Sequence, residues 1–226
     1  FCIPAYGHTN PTIEVVRELV KRGNQVHYYS FYEFRSRIEE TGAVCIPCDD
    51  FMPPAPKDID KKVGKDLSSL VDMTVDVTLA MEDKVLGELR AWKPDCIVSD
   101  SICIWGKLYA KKLNVPFVCS TTTFAFNQQT ARLMKQSLSE LLRMLSGMPR
   151  INARLRQLRR HGYEIRQFYE LLQNDNDTET IVYTSKEFQP MSETFSDKFT
   201  FTGPSIAVPK PSGHKKSRPL VYISLG

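Results

Sequence analysis

The chain has 226 residues, 42% of them hydrophobic and 25% charged, with a formal net charge of +4. That is the make-up of an ordinary soluble globular protein, long enough for one large domain or one and a half small ones. The charge excess is too small to imply nucleic acid, no run approaches the ~18 apolar residues of a membrane span, and no secretory leader is visible. Phe1 and Gly226 each sit in an apolar run, so both ends read as passages through strands.

Strands and helices alternate from the start. Phe1-Cys2-Ile3 reads as a buried strand, followed by a loop through Gly7-His8-Thr9. Asn10 then suits an N-cap and Pro11 the first helical position. Ile13, Val16, Leu19 and Val20 form that helix's apolar face, and Gly23 closes it. Val26 to Phe31 is the second strand, Glu33 to Glu40 a short helix, and Ala43 to Ile46 the third strand. An irregular stretch from Pro47 to Lys62 leads to a helix over Leu67 to Trp92. Cys96-Ile97-Val98 is apolar throughout, as a parallel strand buried on both faces should be. It ends in Ser99-Asp100-Ser101, and a helix follows from Ile104 to Leu113. Phe117-Val118-Cys119 is the fifth strand, with Ser120 to Thr123 as a polar loop beyond it. Two helices, Phe126 to Leu145 and Ile151 to Leu172, are expected to part at Gly147 and Pro149. Thr180 to Thr184 and Phe199 to Thr202 are further strands. The proline-rich stretch from Ala207 to Pro219 reads as a linker, and Leu220 to Leu225 as a fresh buried strand.

Such alternation predicts an α/β fold with an open, doubly wound parallel sheet of Rossmann type. The usual order sets the first strand beside the fourth, and ligands sit beyond the carboxyl ends of the strands at that switch point. His8 follows the first strand and Asp100 ends the fourth, so the fold should bring them together. A histidine with one ring nitrogen facing a carboxylate keeps the other free as a base. Taken alone, each has a plainer reading: His8 as a helix-terminus hydrogen-bonder, Asp100 as an N-cap.

Pro4-Ala5-Tyr6-Gly7-His8-Thr9-Asn10-Pro11, with Arg22-Gly23-Asn24-Gln25-Val26 after the helix, resembles the opening of the UDP-glycosyltransferase superfamily. Within it the bacterial macrolide-glycosyltransferase branch is the most similar. Pro94-Asp95-Cys96-Ile97-Val98-Ser99-Asp100 resembles the family's strand ending in the dyad aspartate. Phe201-Thr202-Gly203-Pro204 resembles its signal before the interdomain linker, and Val221 to Gly226 the first strand of its C-terminal domain. The resemblance implies the N-terminal, acceptor-binding half of a GT-B enzyme: residues 1–206 as that domain, 207–219 as linker, 220–226 as the start of the donor domain. It implies inverting transfer from a UDP-sugar or related nucleotide sugar to a small-molecule acceptor. His8 would be the base and Asp100 its partner. No metal or other cofactor is expected. Gly226 would open the donor site, most of which lies in the half not present.

Acceptor contacts are expected from Gly7, from Ser120, Thr121 and Thr122, and from Phe124 and Phe126, because aromatics beside hydroxyls suit an amphipathic ring system. Packing and capping of the next helix explain these residues as well. The Met-rich region at Met134, Met144 and Met148 could line the same pocket or belong to the core. Arginines crowd Arg150 to Arg166, beside apolar positions at Ile151, Leu155, Leu158 and Ile165. A solvated helix face is the default, and weak contact with a membrane surface the alternative. The six cysteines read as buried free thiols, which favours a reducing, cytoplasmic setting. Cys45 and Cys48 have CxxC spacing without the partners of a zinc site. A nicotinamide-dependent oxidoreductase fails on the first loop, where Gly7 stands alone and three glycines are needed. A nucleotide-sugar epimerase or a binding protein of the same architecture remains the alternative.

Overall fold

The computed structural model describes residues 1–53, 67–131, 133, 138–172 and 176–206. The expected linker over 207–219, the strand over 220–226 and Gly226 lie outside these described residues, as does Met134. The elements are α1 (Tyr6–Lys21), β1 (His27–Ser30), α2 (Arg35–Glu39), β2 (Val44–Pro47), α3 (Leu67–Trp92) and β3 (Ile97–Asp100). After them come α4 (Ile104–Leu113), β4 (Phe117–Thr121), α5 (Gln128–Ala131), α6 (Leu138–Arg160), α7 (Tyr169–Leu172), β5 (Glu179–Val182) and β6 (Phe199–Phe201). Every strand pair is parallel, β2 with β1 and then β3, β4, β5 and β6 in order.

Residues 1–3 join the two sets. Phe1 N donates to the Val98 carbonyl at 2.9 Å, and Asp100 N donates to the Phe1 carbonyl at 2.9 Å, the pattern of a parallel neighbour. On the other side Cys2 N donates to the Tyr29 carbonyl at 3.2 Å. The segment therefore runs between β1 and β3, and the expected first strand is next to the fourth. Its side chains alternate as extended chain must. Phe1 and Ile3 pack into the cluster formed with α3, α4 and α6, while Cys2 packs with Ile13, Val16, Phe34 and Ile38 of the opposite face. Helices thus cover both faces, which is the doubly wound arrangement.

Two expectations about helices are corrected. The first helix starts at Tyr6, not after Asn10: both His8 N and Thr9 N donate to the Ala5 carbonyl, at 3.0 and 2.9 Å. Pro11 is inside the helix, where it deprives the Gly7 carbonyl of its usual donor. So close to the N-terminus, where few backbone bonds have yet closed, that loss is bearable. The second correction is at Pro149, which does not break the chain, since α6 runs through it to Arg160. A proline inside a helix costs about 3 kcal/mol. Here Ile151, Leu155 and Leu158 are buried in the core and α6 packs along α3, and each such side chain returns roughly 1.5–3 kcal/mol. The helix ends instead at Arg160, and Gly162 just beyond it has a φ of 80°, left-handed backbone suited to glycine.

A polar node locks three of these helices together. Glu82 of α3 pairs with Lys112 of α4, and its other oxygen meets His161 Nδ1 at 2.8 Å, just past α6. Lys112 Nζ also sits 4.2 Å from the centre of the Tyr163 ring and donates to the His161 carbonyl at 2.6 Å. Burial pushes the Glu82 carboxyl up, but the bonds from Lys112 and His161 outweigh it and hold it below its ordinary range.

The face of α4 that meets β3 has no spare room. A Cβ on Gly106 would lie 2.6 Å from Ser99 Cβ and 2.3 Å from Ser99 Oγ. Gly106→Ala should therefore push α4 off the strand that ends in Asp100, at a cost of about 1–3 kcal/mol. Urea unfolding should show a lower midpoint with unchanged slope; an unchanged midpoint would mean that the contact relaxes freely.

Candidate functional site

Three elements meet at the carboxyl edge of the sheet. His8 comes from the first turn of α1, Asp100 from the last residue of β3, and Thr122 from the residue after β4. His8 Nδ1 lies 2.7 Å from Asp100 Oδ2 and 3.1 Å from Thr122 Oγ1. The Asp100 side chain has no solvent exposure, and that of His8 keeps 20%. A buried carboxylate is costly unless its lone pairs are met. Asp100 meets this need twice: Oδ2 takes His8, and Oδ1 accepts the Ile102 N–H at 2.8 Å. The second bond is a side-chain turn that also starts the chain towards α4.

A carboxylate can only accept, so the proton between the two residues belongs to His8 Nδ1. Nε2 then carries the free lone pair. Such an arrangement can act as a base with an oriented ring, and the Thr122 hydroxyl meets that ring at Nδ1, not at Nε2.

No family model matches the chain. Among curated proteins it is 33% identical to the NDP-glycosyltransferase YjiC of Bacillus licheniformis, over all of this chain and 57% of that protein. It is 30% identical to the YjiC of Bacillus subtilis, over 99% of this chain and 56% of that one. It is 31% identical to the demethyllactenocin mycarosyltransferase of Streptomyces fradiae, over all of this chain and 51% of that protein. Among solved structures, the calicheamicin glycosyltransferase CalG4 superposes with a TM-score of 0.68 at 26% identity, over 96% of this chain and 54% of that one. In sequence and in fold the chain is similar to these glycosyltransferases. It spans about half the length of the curated relatives it matches, as an N-terminal half would.

The other residues singled out in the sequence fall in different places. Ser120 and Thr121 are the last two residues of β4, not part of a loop, and both are buried. Ser120 Oγ donates to the Tyr183 hydroxyl at 3.2 Å, and Thr121 Oγ1 lies 3.6 Å from Cys119 Sγ. Gly7 is exposed in the first turn of α1, with open space where a side chain would project. Phe124 and Phe126 follow Thr122 on the loop; Phe126 is 45% exposed, and the Phe124 ring lies 5.4 Å from that of Phe188. Phe188 is 72% exposed and was not marked by the sequence pattern. Nor was Gln189, which is buried and grips the loop by its backbone: Ala125 N donates to its Oε1 at 2.9 Å, and its Nε2 donates to the Ala125 carbonyl at 3.1 Å. No local motif distinguishes such a glutamine, since its role depends on a segment 64 residues away.

The four apolar positions named in the basic stretch face inward. Ile151, Leu155, Leu158 and Ile165 are in the core, Arg150 and Arg154 pair with Asp72, and Arg154 also pairs with Asp76. No helix among the described residues is long and apolar enough to cross a membrane. Met148 packs against the core.

The CxxC cysteines are ordinary buried thiols. Burial pushes Cys48 up to about 12 and Cys45 up to about 11, so neither forms a thiolate near neutrality. All six cysteines are free, and Cys96 is the exposed one. A thiol reagent at pH 7.5 should accordingly modify Cys96 first, with the rest reacting only after unfolding. Fast labelling of Cys45 or Cys48, read by peptide mass mapping, would contradict this burial.

Proposed function

We propose that this chain is the acceptor-binding half of an inverting glycosyltransferase that uses a nucleotide sugar, with His8 as general base. The observation that carries the reading is the 2.7 Å bond between His8 Nδ1 and a carboxylate with no solvent exposure. In this reading an acceptor hydroxyl gives its proton to Nε2 of His8. Its oxygen forms a bond to the anomeric carbon as the carbon–phosphate-oxygen bond breaks, and that electron pair leaves with the nucleoside diphosphate. In-line displacement inverts the anomeric centre. The imidazolium formed is balanced by the Asp100 carboxylate.

The acceptor is a small amphipathic molecule on this proposal, held near Gly7, Thr122, Phe124 and Phe126. Support comes from the exposed aromatic loop beyond β4 and from relatives, one of which is named for mycarosyl transfer to demethyllactenocin. The donor is an NDP-sugar, as in the names of the YjiC proteins, and no metal takes part.

In the full-length protein, His8→Ala should lower turnover by about 10²–10⁴-fold, the usual size of a lost general base. Acceptor affinity should change little. Asp100→Asn should keep the fold and the Ile102 bond yet lose at least ~10²-fold in kcat, because an amide neither balances the imidazolium nor selects its tautomer. Either variant turning over at the wild-type rate removes the dyad from the mechanism.

The division of labour has its own test. Residues 1–226 alone should bind an acceptor in a calorimetric titration but neither hold a UDP-sugar tightly nor transfer its sugar. The groups proposed to grip the diphosphate belong to the half of the relatives that the chain does not cover. Tight UDP-sugar binding by these residues would overturn that assignment.

A further inference from the structure

The residues from Thr121 to Asn127 carry most of the acceptor groups of the proposed function, yet every second one is tied to the segment that follows β5. The Tyr183 N–H donates to the Thr121 carbonyl at 3.0 Å, and the Thr184 hydroxyl to the Thr123 carbonyl at 3.2 Å. Gln189 holds Ala125 by both of its backbone groups. Asn127 Nδ2 donates to Thr194 Oγ1 at 2.8 Å. The first bond is made between backbones, as in the ladder of β4 with β5; the others are made by side chains.

Gln189 sits at the centre of this arrangement and is buried. Its Oε1 accepts the Ala125 N–H at 2.9 Å, and its Nε2 donates to the carbonyls of Ala125 and Pro190, each at 3.1 Å. A glutamine amide offers a backbone the same donor and acceptor as a neighbouring peptide group. Turning this amide over would set N–H against N–H and oxygen against two carbonyls, so only one orientation fits. The residue is held from its own side too, since the Phe188 and Gln189 N–H groups both donate to the Ser185 carbonyl at 3.1 Å.

We infer that Gln189 is a positioning residue for the acceptor, holding the stretch from Thr122 to Phe126 in one conformation before the acceptor arrives; the inference rests on reading that stretch as the acceptor's wall. Freedom left in a loop must be given up on binding and weakens affinity. The bonds of Thr121, Thr123, Ala125 and Asn127 remove it, and Thr122, Phe124 and Phe126 are the residues between them. The effect falls on the acceptor, because the grip on the donor diphosphate is assigned to the other half. It reaches kcat less, since Thr121 and Thr123 keep their own bonds on either side of Thr122.

Two variants test this. Gln189→Met fills similar space and removes all three bonds. Gln189→Glu keeps the shape and makes the bonds to Ala125 titratable: a neutral carboxyl offers an oxygen and an O–H, whereas a carboxylate cannot donate and turns its charge on the two carbonyls. Burial and those carbonyls favour the neutral form, so the introduced group should titrate above the ordinary carboxyl range. Rates are read in the full-length protein with UDP-glucose and a hydroxycoumarin whose fluorescence falls on glycosylation. Gln189→Met should raise the acceptor KM roughly 5- to 50-fold, lower kcat by less and leave the donor KM unchanged. Gln189→Glu should approach the wild-type acceptor KM at low pH and the Gln189→Met value as pH rises through the introduced pKa. Hydrogen exchange should quicken from Phe124 to Phe126 in Gln189→Met and stay slow in β4. Unchanged exchange there, a loss shared equally by donor and acceptor, or a Gln189→Glu profile parallel to wild type would overturn the inference. Quicker exchange with an unchanged acceptor KM would instead overturn the reading of this stretch as the acceptor's wall.

Discussion

The site depends on three residues of extended chain. Phe1 bonds to β3 on one side and Cys2 to β1 on the other, and among the described residues these bonds join the two sets of strands. The same segment determines where α1 can begin. Five residues after Ile3, His8 has turned into the first turn of a helix whose start is tied to Ala5. Phe1 is level with Ser99, and the Asp100 amide donates to the Phe1 carbonyl. Residues 92 positions apart thus become neighbours because the strand before one is hydrogen-bonded to the strand that ends in the other. Ligand sites at the switch point of doubly wound sheets have this origin: only there do two loops leave adjacent strands in opposite directions and open a crevice.

Electrostatics then constrain what the crevice can contain. A carboxylate without solvent exposure would be a liability of several kcal/mol if left unpaired. Asp100 has two donors, one from its own turn and one from His8. In a neutral ring, the carboxylate's demand for a proton at Nδ1 puts the lone pair on Nε2. Burial here serves polarity of the ring more than stability of the fold, which rests on the apolar clusters on the two faces of the sheet and on the helix packing behind it.

Much of this was legible in the residues. The alternation of apolar strands with amphipathic helices indicated the sheet, and strand ends at Ile3 and Asp100 were enough to pair His8 with Asp100 through the expected order. What was not legible required tertiary knowledge. Asn10-Pro11 carries a strong helix-start signal, yet the helix begins earlier because a proline near the N-terminus forfeits only one bond. Pro149 carries a strong stop signal, yet the packing of Ile151, Leu155 and Leu158 along α3 overrides it. Ser120 and Thr121 look like loop residues by composition, but the neighbouring β5 extends the ladder through them. Thr122 was noticed as a hydroxyl near an acceptor; its distance to a ring nitrogen depends on a register that composition does not encode.

The division between rigid and open parts has a consequence for selectivity. His8, Asp100 and Thr122 sit at the ends of a helix and two strands, each tied by backbone bonds, whereas Phe126 and Phe188 project from connecting segments with large exposed areas. Gln189 links the two regimes, since it is buried while its neighbour Phe188 is the most exposed aromatic among the described residues. On the proposed function, replacing an exposed ring there would alter the surface an acceptor meets without touching any bond that holds His8. Under the proposed function, acceptor range can therefore change through positions such as Phe126 and Phe188 while the proton chemistry stays constant. A change at Gln189 would do both, because releasing Ala125 frees the loop that carries Phe124 and Phe126 and, three residues earlier, the hydroxyl at His8.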